Sequence, residues 1–163
     1  MAYLLDANVF IQAKNDHYPF AVVPAFWDWI DRENGNGQVF SVDRVRVELI
    51  AGSDELATWA QNHHGEFFIQ PDPATVATLG TVSHWANGAG YDQAAVATFL
   101  NGADYYLVAE ALAHGQQIVT HEASHPDARK RIPIPNACEA LGINYQNPFQ
   151  MLQAEGPRFI LGP

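Results

Sequence analysis

Four acidic residues occupy positions from which an α/β chain could bring them together. Asp6 follows the apolar run YLL, Glu48 lies within RVRVELIAG, Asp104 opens ADYYLVAEALAHG, and Glu122 follows QQIVT. If they meet, their chemistry is that of an oxygen-only cation site. Two carboxylates about 5 Å apart repel by roughly 3 kcal/mol at an effective dielectric near 20, so six such pairs approach ~20 kcal/mol as an upper bound. That rivals the ~5–15 kcal/mol that holds a typical domain together. Without a cation, some of the acids must take up protons or splay apart. Oxygen ligands with retained water suit Mg²⁺ or Mn²⁺ better than zinc.

Each acid also has a plain structural explanation. Asp6, with Asn8, could cap a helix where a strand passes into it. Glu48 could be an exposed helix residue, although Val45, Val47, Leu49 and Ile50 give it an apolar setting. Asp104 could complement a helix dipole, and Glu122 could be an ordinary loop acid. What favours the cation site is their joint placement, which depends on the elements that carry them.

Tyr3 to Leu5, Gln38 to Val42, Glu66 to Gln70 and Gln117 to Thr120 are short apolar runs of the kind that forms buried parallel strands. Helical stretches alternate with them. Pro24 and Gly35 frame AFWDWIDREN, Ser53-Asp54-Glu55 opens DELATWAQNHH, and Pro73 to Ala86 and Asp92 to Leu100 follow. Ala103 to His114 ends at Gly115, a good C-terminal cap. The alternation predicts a three-layer α/β/α domain with a mostly parallel central sheet, built as one unit over residues 1–163. Ligands of such sheets bind beyond the carboxyl ends of the strands, at a topological switch point. Asp6 and the Thr120-His121-Glu122 segment both fall at strand ends of that rim.

Composition narrows the function classes. With 48% apolar residues, the chain can bury a sizeable core. Eight Lys and Arg against 18 Asp and Glu leave a net charge of −10, which argues against broad, tight binding to bare nucleic acid. Such a balance suits a protein that holds cations or meets a basic partner. No apolar run approaches the ~20 residues of a membrane helix. The first fifteen residues have no basic start, and Asp6 interrupts their apolar stretch, which argues against a secretory leader. Cys138 is the single cysteine, so an internal disulfide and a cysteine-cluster zinc site are excluded. A reducing compartment, the cytoplasm, is the expected location.

LLDANVF, SVDRVRVELIAG, ADYYLVAEA and IVTHE, in that order, resemble the motifs of the PIN domain (named from the PilT N-terminus), a Mg²⁺- or Mn²⁺-dependent nuclease fold related in architecture to Rossmann-like domains. The resemblance spans nearly the whole chain. It implies that Asp6, Glu48, Asp104 and Glu122 are both metal ligands and catalytic residues, with Asn8 and Thr120 as polar support. The family's last motif more often carries Asp, and Glu122 is one methylene longer. The tail KRIPIPNACEALGINYQNPFQML resembles a less characterised PIN-like branch with toxin members of toxin–antitoxin pairs. The implied activity is hydrolysis of RNA phosphodiesters. The implied partners are an antitoxin that covers the acidic cleft, with an inserted basic side chain, and a second copy of the chain.

Positive charge for an RNA substrate is scarce. Arg129, Lys130 and Arg131 form the one basic run and are expected to grip phosphates, while Arg44 and Arg46 flank the second motif. Three rival readings remain. His121 with His125, or His63 with His64, suggests a zinc site, although Pro126 breaks the helix that the former spacing needs. A metal-dependent phosphatase of the haloacid dehalogenase type would need a second acid where Asn8 stands. A PIN-like binding module would act through protein contacts with an incomplete or inactive site. Of the abundant aromatic residues, most serve packing, and one or two could stack unpaired bases.

Overall fold

Short, mostly apolar runs, too brief for helices, build the sheet in the computed structural model, which describes residues 1–162. They are β1 (Tyr3–Leu5), β2 (Val39–Val42), β3 (Phe68–Ile69), β4 (Gln117–Val119) and β5 (Tyr145–Gln146). These strands pair in the order β3-β2-β1-β4-β5, and every pairing is parallel. Because helices cover both faces of a parallel sheet, its central strands are apolar at successive positions. Tyr3, Leu4 and Leu5 are accordingly all buried.

The helices are α1 (Ala7–Gln12), α2 (Pro24–Gly35), α3 (Asp43–Ala51), α4 (Glu55–Asn62), α5 (Pro73–Gly88), α6 (Gln93–Asn101), α7 (Ala103–His114), α8 (Ile134–Leu141) and α9 (Pro148–Glu155). A π-helical turn, Ala13–His17, continues α1. Together they make the expected three-layer α/β/α arrangement. Gly115 closes α7 in the left-handed conformation, φ 74°, and its N–H returns to the Ala111 carbonyl at 2.8 Å.

Two expectations change in detail. The third strand is shorter than Glu66 to Gln70, because the Phe67 and Phe68 N–H groups both turn back to the His64 carbonyl. The tail, for which no elements were expected, forms α8, β5 and α9. Pro135 sits in the first turn of α8, where a missing N–H costs nothing. In α9, Asn147 and Gln150 form a reciprocal capping box.

The core extends from Tyr3 to Met151. Phe10 on α1 meets the rings of Trp59, Phe67 and Phe68 at centroid distances of 5.5–6.1 Å. Trp27, Trp29 and Trp59 are buried, so most aromatic residues pack as expected. Strand register decides where the first acid lies. Leu5 pairs with Val119, which sends Asp6 and Thr120 out of adjacent strands side by side. Strand order also reverses here, since β2 lies on one side of β1 and β4 on the other. This is the switch point at which open α/β sheets bind ligands.

Candidate functional site

Asp6 leaves β1 with extended backbone, and its N–H bonds the Val119 carbonyl at 3.0 Å. Its side chain makes no capping bond to α1. Instead, Oδ2 accepts the Thr120 hydroxyl at 3.0 Å, with Asp6 only 3% exposed. The same Thr120 oxygen accepts the Glu122 N–H at 3.1 Å. One hydroxyl thus links the ends of β1 and β4. Beneath them, Ser41 Oγ donates to the Leu5 carbonyl at 2.7 Å and fixes the end of β1 against β2. Ser41 is a support that sequence reasoning missed, and a lone serine within the apolar VFSV was its signal.

Removing the Thr120 hydroxyl leaves a buried carboxylate and an N–H each short of a partner, at ~1–3 kcal/mol per unsatisfied group. Thr120→Val is therefore expected to destabilise the fold by about 2 kcal/mol. Urea unfolding would read this as a lower midpoint with an unchanged slope.

Asp6, Glu48, Asp104 and Glu122 all line one cleft of about 450 Å³, together with Asn8, Lys130 and Arg131. The acids come from four separate segments: the end of β1, α3, the first turn of α7 and the loop after β4. Glu48 is exposed, while Asp104 and Glu122 are partly buried. Thr98 and Phe99 of α6 form an opposite wall that sequence reasoning did not find. Gly102, between α6 and α7, brings that wall close, since a Cβ there would stand 3.4 Å from the Thr98 carbonyl. The basic run divides. Lys130 and Arg131 enter the cleft, but the Arg129 guanidinium donates to the Pro126 and Ala128 carbonyls at 3.3 and 2.7 Å and lines a different groove.

Electrostatics follow from the crowding. Burial first, and then the Glu122 charge, push the Asp6 carboxyl up to about 6, with Glu48 adding to the rise and the Thr120 hydroxyl and the nearby Ala7 N–H opposing it. Asp104 is pushed up to about 7 by burial and then by Asp6, Glu122 and Glu48, with Arg131 opposing. Glu122 is held differently. One oxygen accepts from Arg131 and the other from the Ile134 N–H at 2.8 Å, at the start of α8.

The donor set is wholly oxygen, which fits a hard divalent cation. Among the described residues, no three His, Cys, Asp or Glu side chains converge tightly enough to enclose an ion. Mg²⁺ does not require such a cage, because it binds through one or two carboxylates and retains several waters. Asp6 and Asp104, the two acids with raised proton affinity, fit that role. The histidines are engaged elsewhere. His121 faces His17 and Phe149, with ring centroids 5.7 and 5.9 Å away, and His63 stacks on Trp59 and bonds Asp31.

A family model described as "Domain of unknown function (DUF4411)" matches residues 3–159. The chain belongs to the DUF4411 family. No curated protein matches it. Solved structures do match the fold of this DUF4411 chain. The crystal structure of VapBC2 from Rickettsia felis bound to a DNA fragment from its promoter aligns with a TM-score of 0.55 at 13% identity, over 90% of this chain and 98% of that one. FitAB bound to the IR36 DNA fragment gives 0.53 at 20% identity, over 90% and 95%. FitAcB from Neisseria gonorrhoeae gives 0.54 at 19%, over 90% and 98%. At these identities the likeness establishes the fold of the DUF4411 chain, a PIN-like α/β arrangement. No helix among the described residues is long and apolar enough to cross a membrane.

Proposed function

We propose that this DUF4411 chain is a PIN-domain endoribonuclease dependent on Mg²⁺ or Mn²⁺, and the toxin of a cytoplasmic toxin–antitoxin pair. One observation carries the reading: four carboxylates from four segments line a single cleft at the switch point of the sheet. Asp6 and Asp104 would hold the cation, with Glu48 on α3 and Glu122 after β4 lining the same cleft around it. When bound, a hard divalent ion supplies a Lewis acid for the phosphate and lowers the pKa of water. Thr120 keeps Asp6 oriented. Asn8, on the cleft wall, offers a neutral polar contact to water or substrate. Lys130 and Arg131 meet the phosphate charge, while Arg129 is committed to local carbonyls. In the net reaction, a water oxygen bonds to phosphorus, one bond from phosphorus to a ribose oxygen breaks, and the water proton passes to the departing oxygen.

The partner reading draws on the sequence resemblance and on the VapBC2 and FitAB assemblies. An antitoxin would cover the acidic cleft, and a basic side chain reaching it would compete with the cation. A binding module without catalysis has one observation in its favour, the engagement of both Glu122 oxygens.

Incubation of the purified chain with unpaired RNA separates the two. Cleavage with Mn²⁺ that stops on chelation is expected of the nuclease. Intact RNA, from protein that neither binds Mn²⁺ nor loses stability on chelation, would favour the binding module.

A further inference from the structure

Two side chains of the cleft face each other. Glu122, whose side chain is 10% exposed, accepts from Arg131, whose side chain is 62% exposed. The second Glu122 oxygen is fixed by the Ile134 N–H at the mouth of α8. Glu122 is therefore an anchored acid with an arginine laid over it from the solvent side. Each of its oxygens already has one lone pair taken by a donor, and a cation drawn to it would have to sit beside the Arg131 guanidinium on the same carboxylate. Asp104 and Glu48 differ, as no described residue donates a hydrogen bond to either carboxylate, and Asp6 gives one oxygen to Thr120.

Charge points the same way. Four carboxylates and two basic side chains line the cleft, which leaves two negative charges, the charge of one divalent ion. Without Arg131, the four acids against Lys130 alone would leave three negative charges, more than one divalent ion neutralises, so a second, weaker ion could enter. A guanidinium also has five N–H donors in a rigid fork, so one bond to Glu122 leaves others free for phosphate oxygens.

We propose, building on the nuclease reading above, that the cleft takes a single divalent cation on its Asp6 and Asp104 side, and that Arg131 stands on the Glu122 side in place of a second. Arg131 then contacts a non-bridging oxygen of the phosphate directly, while Glu122 holds the guanidinium in position.

Calorimetric titration of the full chain with Mn²⁺ tests this without reference to activity. The wild-type chain is expected to bind one ion, Arg131→Lys one, and Arg131→Gln two, the second more weakly than the first. Arg131 is exposed, so the fold should tolerate both substitutions, and the lysine variant separates loss of charge from loss of shape. Two ions in the wild-type chain would overturn the inference and leave the nuclease reading standing. One ion in all three proteins would overturn the inference equally. Absence of binding to the folded wild-type chain would remove the nuclease reading itself.

Discussion

Asp6→Asn is expected to lower metal-dependent RNA cleavage by at least ~10²-fold in kcat, the scale on which loss of one preorganised charge-stabilising group acts. Asparagine keeps the shape and an oxygen that can still accept the Thr120 hydroxyl. What it lacks is the charge that holds a divalent ion at the end of β1. The substitution separates catalysis from folding in an unusual direction. Asp6 is nearly fully buried and its carboxyl is pushed up to about 6 from 3.8. Holding it ionised at pH 8 without metal therefore costs the fold on the order of 3 kcal/mol, at ~1.36 kcal/mol per pKa unit. The metal-free variant should unfold at a higher temperature than the wild-type chain, by about 2–4 °C for each kcal/mol relieved. A variant that cuts RNA at the wild-type rate would falsify the assignment. One that is inactive because it is unfolded would contradict the account of its burial.

The second large effect is on pH and stability, through Asp104. Its carboxyl is pushed up to about 7 from 3.8, by burial and then by the neighbouring acids. Between these values the native chain binds more protons than the unfolded chain, so stability falls as pH rises. The penalty is absent below about pH 4 and complete above about pH 7. Up to ~4 kcal/mol is at stake, shared with Asp6 because the two acids repel each other. His63, where its bonds to Asp31 and the Trp59 carbonyl outweigh burial to raise its pKa, acts in the same direction. His121, lowered by burial and by His17, acts against it. Comparing the wild-type chain with Asp104→Asn removes both background contributions. Without metal, the variant should be the more stable protein at pH 8, and the difference should vanish near pH 4. With Mn²⁺ at 100 times its Kd, the wild-type chain should gain about 2.7 kcal/mol at pH 8, and less at pH 5, where protons compete for the same oxygens. A stability difference that does not change with pH would mean that Asp104 is neither desolvated nor crowded by the other acids.

Much of this arrangement was legible in the chain. Tyr3 to Leu5, Gln38 to Val42 and Gln117 to Thr120 read as short buried strands, and their alternation with helices pointed to a mostly parallel sheet whose carboxyl rim carries Asp6 and Glu122. The register was not legible. Nothing in local spacing says that Leu5 pairs with Val119, yet that pairing sets Asp6 beside Thr120. The tail was assigned no elements, yet its prolines sit where helices tolerate them, with Pro135 in the first turn of α8 and Pro148 opening α9. Without α8, the role of Ile134 in fixing Glu122 could not be foreseen. The basic run divided for a related reason. Within an irregular loop, backbone direction decides where each side chain points, so Arg129 turns to its own carbonyls while Lys130 and Arg131 face the acids.

The most direct measurement is an anomalous difference map from crystals of the chain soaked in manganese. The expected result is a peak in the cleft within ~2.0–2.2 Å of oxygens of Asp6 and Asp104, completed by water. A fully folded chain whose cleft stays empty at millimolar manganese and neutral pH, with the acids held apart, would contradict the cation-binding claim.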